Sequence, residues 1–272
     1  MTEPGDDGGA PSKTSSWPRV LVVILLIVGV GLLGGIAILA RFASVNDRLA
    51  RALILDPERK IPYERVIVAP ADGHVLYVRR VDEGTIPFLV KRGVSVPVSE
   101  HLKAWPSRPF KRGYLVGIYM NTNGVHINRV PNTGTLKHQT VYNGPHMNMT
   151  EAEVRIVLGQ MIPGWTTLRK LLRLDPYSIE KESDYILKSA RETLEFEDED
   201  GRAIYVIRIA DYYVGNILTW ISEGQHVTRG QKLGMITWGS QTDVLFEDTP
   251  GLEVVVRAGD YVYGGETVLA HP

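Results

Sequence analysis

A chain of 272 residues is long enough for one large domain or two small ones with a real core. Its 30 Lys+Arg balance 31 Asp+Glu to a formal net of -1, which offers no basic face to a polyanion and argues against nucleic acid as a partner. Cysteine is absent, so disulfides, zinc thiolates and thiol nucleophiles are excluded, and any nucleophile must be a hydroxyl, amine, carboxylate or imidazole.

Residues 1–17, "MTEPGDDGGAPSKTSSW", are small, polar and rich in Gly and Pro, the composition of a disordered tail. Within residues 18–42, the run Val20 to Ala40 carries no charge. As a helix at ~1.5 Å per residue it reaches about 31 Å, enough to cross a bilayer core, and no small-x-small cleavage site follows it. The expectation is a retained single-pass transmembrane anchor. Arg41, Arg48, Arg51, Arg59 and Lys60 follow it, whereas the tail carries only Lys13 and Arg19. The positive-inside rule then places the body, residues 43–272, on the cytoplasmic side of the cell membrane.

From Ile61 the texture changes to short β-branched and aromatic runs broken by Gly, Asn and Pro: "RVIVA", "HVLYV", "YLVGIYM", "TLKHQTVY", "AIYVIRIA", "NILTWI" and "EVVVRA". Such runs predict a mainly β (α+β) body with a compact sandwich- or barrel-like core. Asp200-Gly201 marks a hairpin turn. Residues 150–191 differ and predict a helical insertion. Thr150 and Glu153 make a capping box, and "WTTLRKLLRL" sets Trp165, Leu168, Leu171 and Leu172 on one face against Arg169, Lys170 and Arg173 on the other. That pattern suits a helix lying on a membrane surface as well as an ordinary packed helix with a solvated basic face.

Two stretches repeat. "EGQHVTRGQKLGMI" (Glu223 to Ile236) and "AGDYVYGGETVLA" (Ala258 to Ala270) share G-x-x-V-x-x-G-[QE]-x-[LV], the half-motif of lipoyl- and biotinyl-type half-barrels. The glycines are expected at tight turns with positive φ and the valines in the core.

Three groups carry chemistry: "APADGHV" with Asp72, "NGVHINRVP" with His126, and Trp238-Gly239-Ser240. Alone, each has an ordinary structural explanation, because Asp-Gly and Gly-Ser are turn dipeptides and a lone strand histidine usually packs. Together they supply an acid, an imidazole and a hydroxyl, the set that activates a serine. Ser240 lacks the G-x-S-x-G elbow of α/β-hydrolases. The same set can act on the chain itself: Ser240 Oγ could attack the Gly239 carbonyl, whose approach no side chain blocks, and β-elimination from the resulting ester would cut the chain.

These motifs, with "DPERKIP" (Asp56 to Pro62) and "EGQHVTRGQKLGMITWGSQTDVLF", resemble the shorter, membrane-associated type of phosphatidylserine decarboxylase. The resemblance implies self-cleavage between Gly239 and Ser240 into a long β chain and a short α chain, with Ser240 becoming a covalent pyruvoyl cofactor. It implies that Asp72 activates the serine and that His126 serves as acid/base. The implied reaction turns phosphatidylserine into phosphatidylethanolamine, with the pyruvoyl carbonyl as electron sink. The implied partners are a phospholipid substrate, the bilayer, the two cleaved chains and a homodimer mate. Arg129 stands where longer bacterial enzymes have a second histidine, and residues 87–110 and 150–191 seem to be extra. The alternative from another class is a non-enzymatic, membrane-anchored adaptor with lipoyl-like half-motifs, which needs neither Asp72, His126 nor an intact Gly239-Ser240. A lipoyl or biotinyl carrier needs a lysine at the hairpin tip, where "WGSQTD" has none. No H-x-H or H-x-x-E-H spacing indicates a metal site.

Overall fold

The computed structural model describes residues 21–22, 25–37, 40, 55–89, 94–120, 124–145, 185–210, 216–237 and 240–272. The chain divides into two compact units, Met1–Arg48 and Leu49–Pro272. In the first, residues 21–22, 25–37 and 40 are helical, and Leu21, Leu25, Leu26, Ile27, Leu32, Leu33 and Ile36 all lie exposed. Among the described residues no helix is long and apolar enough to cross a membrane. The rest of the expected Val20–Ala40 span, the expected disordered tail and residues 150–184 of the expected helical insertion lie outside the described residues.

The second unit is mainly β. Its strands are β1 (Ile67–Val68), β2 (Gly73–Val81), β3 (Thr85–Leu89), β4 (Val94–Pro97), β5 (Gly113–Met120), β6 (Ile127–Arg129), β7 (Gly134–Tyr142) and β8 (Arg191–Asp198). They continue as β9 (Ala203–Ala210), β10 (Ile217–Thr219), β11 (His226–Val227), β12 (Lys232–Ile236), β13 (Ser240–Glu247), β14 (Glu253–Val254), β15 (Tyr261–Val262) and β16 (Val268–His271). Short helices span Val98–Leu102 and Tyr185–Lys188. The helical texture expected up to residue 191 therefore ends at Lys188, and Arg191 already opens β8, where its neighbours pair with β7 and β9.

Eight strands form one antiparallel sheet in the order β11-β7-β8-β9-β13-β5-β2-β15. It is an open, curled sheet with β11 and β15 at its ends. Two three-stranded sheets, β1-β16-β14 and β10-β12-β6, accompany it. Their Ala270, Leu269, Leu233 and Ile236 pack with Val116, Ile118, Val206, Val244 and Phe246 from one face of the large sheet. The opposite face carries Tyr77, Leu115, Tyr205, Ile207 and Leu245, and it is covered by Ile86, Val96, Val98, Leu102 and Phe110 from the segment around β3 and β4. The residues 87–110 that seemed extra in the sequence thus form a second core. Central strands buried on both faces read as continuous apolar runs, and β9, "AIYVIRIA", is buried at all eight positions.

The half-motifs behave as their glycines predict. Gly230 and Gly265, the second glycine of each, sit at φ 77° and 80°, while Val227 and Val262 are fully buried. Each half-motif holds one of the chemical motifs by the backbone. Gly230 N–H donates to Val130 O at 2.8 Å, and Gly265 N–H donates to Ala69 O at 2.7 Å. The two chemical motifs also bond each other, Val68 N to Pro131 O at 3.0 Å and Arg129 N to Pro70 O at 2.8 Å. Residues far apart in sequence are in this way brought to one end of the large sheet. Gly73 lets β2 approach β5 there, since a Cβ on it would lie 2.0 Å from the Tyr119 carbonyl oxygen.

Candidate active site at the head of strand β13

Ser240 is the first residue of β13, in register with Met120 on β5 and Ala210 on β9. Both neighbours hold it as a central strand position, and it is fully buried. Trp238 and Gly239 lie outside the described residues, so the bond expected to break is seen only from its serine side. β13 alternates by strand geometry. Ser240, Thr242, Val244 and Phe246 take the half-motif side, whereas Gln241, Asp243 and Leu245 take the other.

On the half-motif side the polar end of β13 gathers around a thioether. Met120 Sδ receives the Ser240 hydroxyl at 3.4 Å, the Thr242 hydroxyl at 3.3 Å and the Asn128 amide at 3.5 Å. Asn128 Nδ2 also donates to Thr242 Oγ1 at 3.2 Å. Sulfur is a weak acceptor, so the Ser240 hydroxyl is held loosely enough to leave it. Across the same face Arg208, paired in register with Thr242, forms a buried ion pair with Glu192 and donates to Leu218 O at 2.9 Å. Its guanidinium is committed to the fold.

His126 precedes β6 and is tied in by its own carbonyl, which accepts from Ile236 N at 3.2 Å. Its ring is fully buried. Nδ1 lies 2.8 Å from Gly124 O, and because a carbonyl only accepts, Nδ1 carries the proton. The other nitrogen, Nε2, is then the bare lone pair of a neutral imidazole, buried and without a hydrogen-bond partner. Burial lowers the pKa of His126 below its ordinary value, the Gly124 hydrogen bond opposing weakly, so the base form prevails at neutral pH.

Asp72 ends the "APAD" segment just before β2, whose His74 is in register with Tyr119 next to Met120. It therefore shares the reactive end of the sheet with Ser240 but stands two strands away, roughly 10 Å at about 4.8 Å per strand. Its carboxylate accepts from Gly264 N at 2.7 Å and from Arg59 at 2.9 Å in a buried ion pair. Burial raises its pKa, and the Gly264 and Arg59 contacts pull the other way. Among the described residues, no hydrogen bond joins Asp72 to His126 or His126 to Ser240. The structure brings the three to one end of one sheet and not into a hydrogen-bonded relay.

Several contributors escaped the sequence reading. Asp56 and Arg59, both in "DPERKIP", clamp the two chemical motifs: Asp56 pairs with Arg129 at 2.6 Å and with Lys232, and Arg59 pairs with Asp72. Two opposite charges three residues apart in a segment without strand or helix periodicity were the available signal. Arg129 is used up there, since it also donates to Gly230 O at 2.9 Å. It braces the fold through Asp56 and Gly230. Asn128 lies in β6 two residues after His126, a spacing present in "HINR".

The other face of β13 holds a second buried polar cluster. Asp243 accepts from Tyr77 at 2.6 Å and from His101 Nε2 at 2.8 Å on one oxygen, and from Gln241 at 2.6 Å on the other. Gln241 also donates to Tyr77 OH at 2.7 Å, and Arg191 donates to His101 O at 2.7 Å. Burial lowers the pKa of His101, with Asp243 opposing, and it brings that of Arg191 down to about 10. A surface groove lined by Tyr63, Asn132, Asp198, Arg229 and Glu247 opens at the far end of β13, away from Ser240.

A sequence profile of the phosphatidylserine decarboxylase family matches residues 45–270. A phosphatidylserine decarboxylase proenzyme of Symbiobacterium thermophilum is 29% identical, over 93% of this chain and 92% of its own. One from Gluconacetobacter diazotrophicus is 29% identical over 79% and 73%. A putative archaetidylserine decarboxylase proenzyme of Methanocaldococcus jannaschii is 28% identical over 79% and 85%. The profile spans every segment that builds the end of the sheet around Ser240, from the Asp56 clamp to the second half-motif, and the chain belongs to the phosphatidylserine decarboxylase family.

Proposed function

We propose that this chain is a self-processing decarboxylase that converts phosphatidylserine to phosphatidylethanolamine. The observation that carries the reading is the place of Ser240, a buried hydroxyl at the first residue of a locked central strand, in a chain that the family profile matches over residues 45–270. No relative named above is an adaptor, and that alternative has no support.

Self-processing begins with Ser240 Oγ attacking the Gly239 carbonyl carbon, its proton passing to a base. The resulting ester joins the Gly239 acyl group to Oγ and frees the Ser240 nitrogen. β-Elimination then releases the Gly239 carboxylate, and hydrolysis of the unsaturated residue leaves a ketone at position 240 with loss of ammonia. The reading of His126 Nε2 as the proton acceptor is supported by its being a neutral, buried lone pair without a hydrogen-bond partner among the described residues. Asp72 contributes a fixed negative charge at the same end of the sheet, neutralised in part by Arg59.

Residue 240 suits a pyruvoyl group. Its side chain is small and buried and among the described residues hydrogen-bonds to the Met120 thioether, which Asn128 also touches; Asn128 Oδ1 and His126 Nε2 are buried polar atoms with no hydrogen-bond partner among those residues. A pyruvoyl carbonyl would supply the electron sink for loss of CO2. Of this chain's residues, His126 would take a proton at Nε2 and return it to the carbon. The exposed apolar helix that includes residues 25–37 supports a membrane anchor over residues 20–40, and the basic residues that follow it favour a cytoplasmic body.

Mass measurement on denatured wild-type protein tests the reading. The expected pair of chains breaks between residues 239 and 240, with the smaller one ending in a ketone in place of serine, and the material releases CO2 from phosphatidylserine. Uncut material that decarboxylates, or cut material that does not, overturns it.

The rate of self-cutting should depend on pH through His126. Its folded pKa lies below the ordinary 6.5, so the rate stays level above about 6.5 and falls in acid with a midpoint under that value. The same depression adds stability that is complete above the unfolded value and is lost as pH falls through the folded one. Quenched time courses across pH 4–8 measure it; a midpoint above 7 would exclude a buried neutral His126 as the base.

A further inference from the structure

Asn128 is fully buried, and its side chain is satisfied on one side only. The Thr242 hydroxyl donates to Met120 Sδ at 3.3 Å, so its Oγ1 is left to accept, and Asn128 Nδ2 is the amide atom that faces it and the thioether. Oδ1 has no partner. Two residues earlier His126 presents Nε2, which Gly124 forces into the acceptor state, also without a partner. A buried acceptor without a donor is costly, and two of them lie within three residues of chain, one on the side chain whose amide touches the thioether beside Ser240; such a pair suits a ligand that donates. The Arg208 guanidinium on that face is already committed to Glu192 and Leu218.

Two acceptors and no donor call for a ligand group rich in N–H. Resting on the proposed decarboxylase activity, we infer that Asn128 Oδ1 receives an N–H of the substrate's primary amine and orients that nitrogen toward the carbonyl derived from Ser240. Asn128 is then a substrate-binding residue, and it selects a headgroup with a free primary amine over a quaternary one. The Nδ2 contact to Thr242 Oγ1 couples this grip to the second residue after the cut, so the amide is fixed by the same strand that carries the carbonyl.

The test uses mature full-length protein with Asn128→Leu, which keeps the volume and removes the acceptor, and Asn128→Asp, which keeps an acceptor. Fragment mass reports whether each variant is cut, and an Asn128→Leu chain that folds but stays uncut where wild type is cut would assign Asn128 to self-processing and overturn the inference. KM for dihexanoyl phosphatidylserine rises about tenfold or more in Asn128→Leu, the size expected for losing one hydrogen bond to a charged donor, with a smaller change in kcat. Asn128→Asp stays within about threefold of wild type. By calorimetry, dihexanoyl phosphatidylethanolamine binds Asn128→Leu about tenfold more weakly than wild type, and dihexanoyl phosphatidylcholine, which has no N–H, binds both equally. Should Asn128→Leu fail to fold, Asn128→Ala carries the same expectations. An unchanged KM, or equal losses for the ethanolamine and choline lipids, overturns the inference while leaving the decarboxylase reading intact. Wild-type protein that stays uncut sinks that reading first.

Discussion

Ser240→Ala is expected to yield a single uncut chain with no decarboxylase activity, because removing Oγ removes the only atom that can take the acyl group from Gly239. The fold should survive. Among the described residues Ser240 Oγ hydrogen-bonds to Met120 Sδ, a weak acceptor, and the β13 backbone keeps both its ladders. Circular dichroism and a melt within a few degrees of wild type would show a native but uncut chain. The measurement is the mass of the denatured protein, and cutting at the same place in Ser240→Ala would exclude Ser240 as the nucleophile. An adaptor would show no difference between the two proteins.

Asp243→Ala should cost the fold most among single changes near the site. Its carboxylate accepts from three buried donors: Tyr77 OH, His101 Nε2 and Gln241 Nε2. All sit at full burial, where removing one member of a polar network typically costs about 3–5 kcal/mol. In a protein of this size about 2–4 °C accompanies each kcal/mol, so the midpoint should fall by roughly 6–20 °C. Asp243→Asn, which keeps one acceptor oxygen, should lose less. Melts on a Ser240→Ala background keep the chain in one piece and the transition interpretable. A drop of a degree or two would mean that the cluster adds nothing to stability.

The sequence shows the strands of the second unit well because their signals are local. "AIYVIRIA" and "YLVGIYM" are β-branched and aromatic at every position that a doubly covered strand needs, and Asp200-Gly201 closes β8 onto β9 with Gly201 at φ 74°. The half-motif glycines were equally legible, since only a turn with positive φ asks for glycine at that spacing. What stayed hidden depends on contacts between distant residues. Asp243 has no local meaning in "GSQTDVLF", and its partners His101 and Tyr77 lie 142 and 166 positions away. Asp72 and Arg59 were both quoted as motif residues, yet their ion pair arises only when the strap before β1 folds across β2. Arg129 could be recognised as a departure, but its role as a brace needed Asp56 beside it. Trp238 remains unexplained.

The position of β13 in the middle of the large sheet has a consequence for the life of the molecule. Before the cut, folding joins segments of one chain and proceeds at a rate indifferent to dilution. With the proposed cut before Ser240, the short piece would supply β13 to β16, which pair with β1, β2, β5 and β9 of the other piece. The products stay interleaved, with no covalent link and no edge along which to part. Once unfolded, they must find each other again as a bimolecular encounter, and the long piece would meanwhile lack the centre of its sheet. The cut therefore acts as a ratchet: this architecture can be assembled from the precursor and, in dilute solution, not reassembled from its parts.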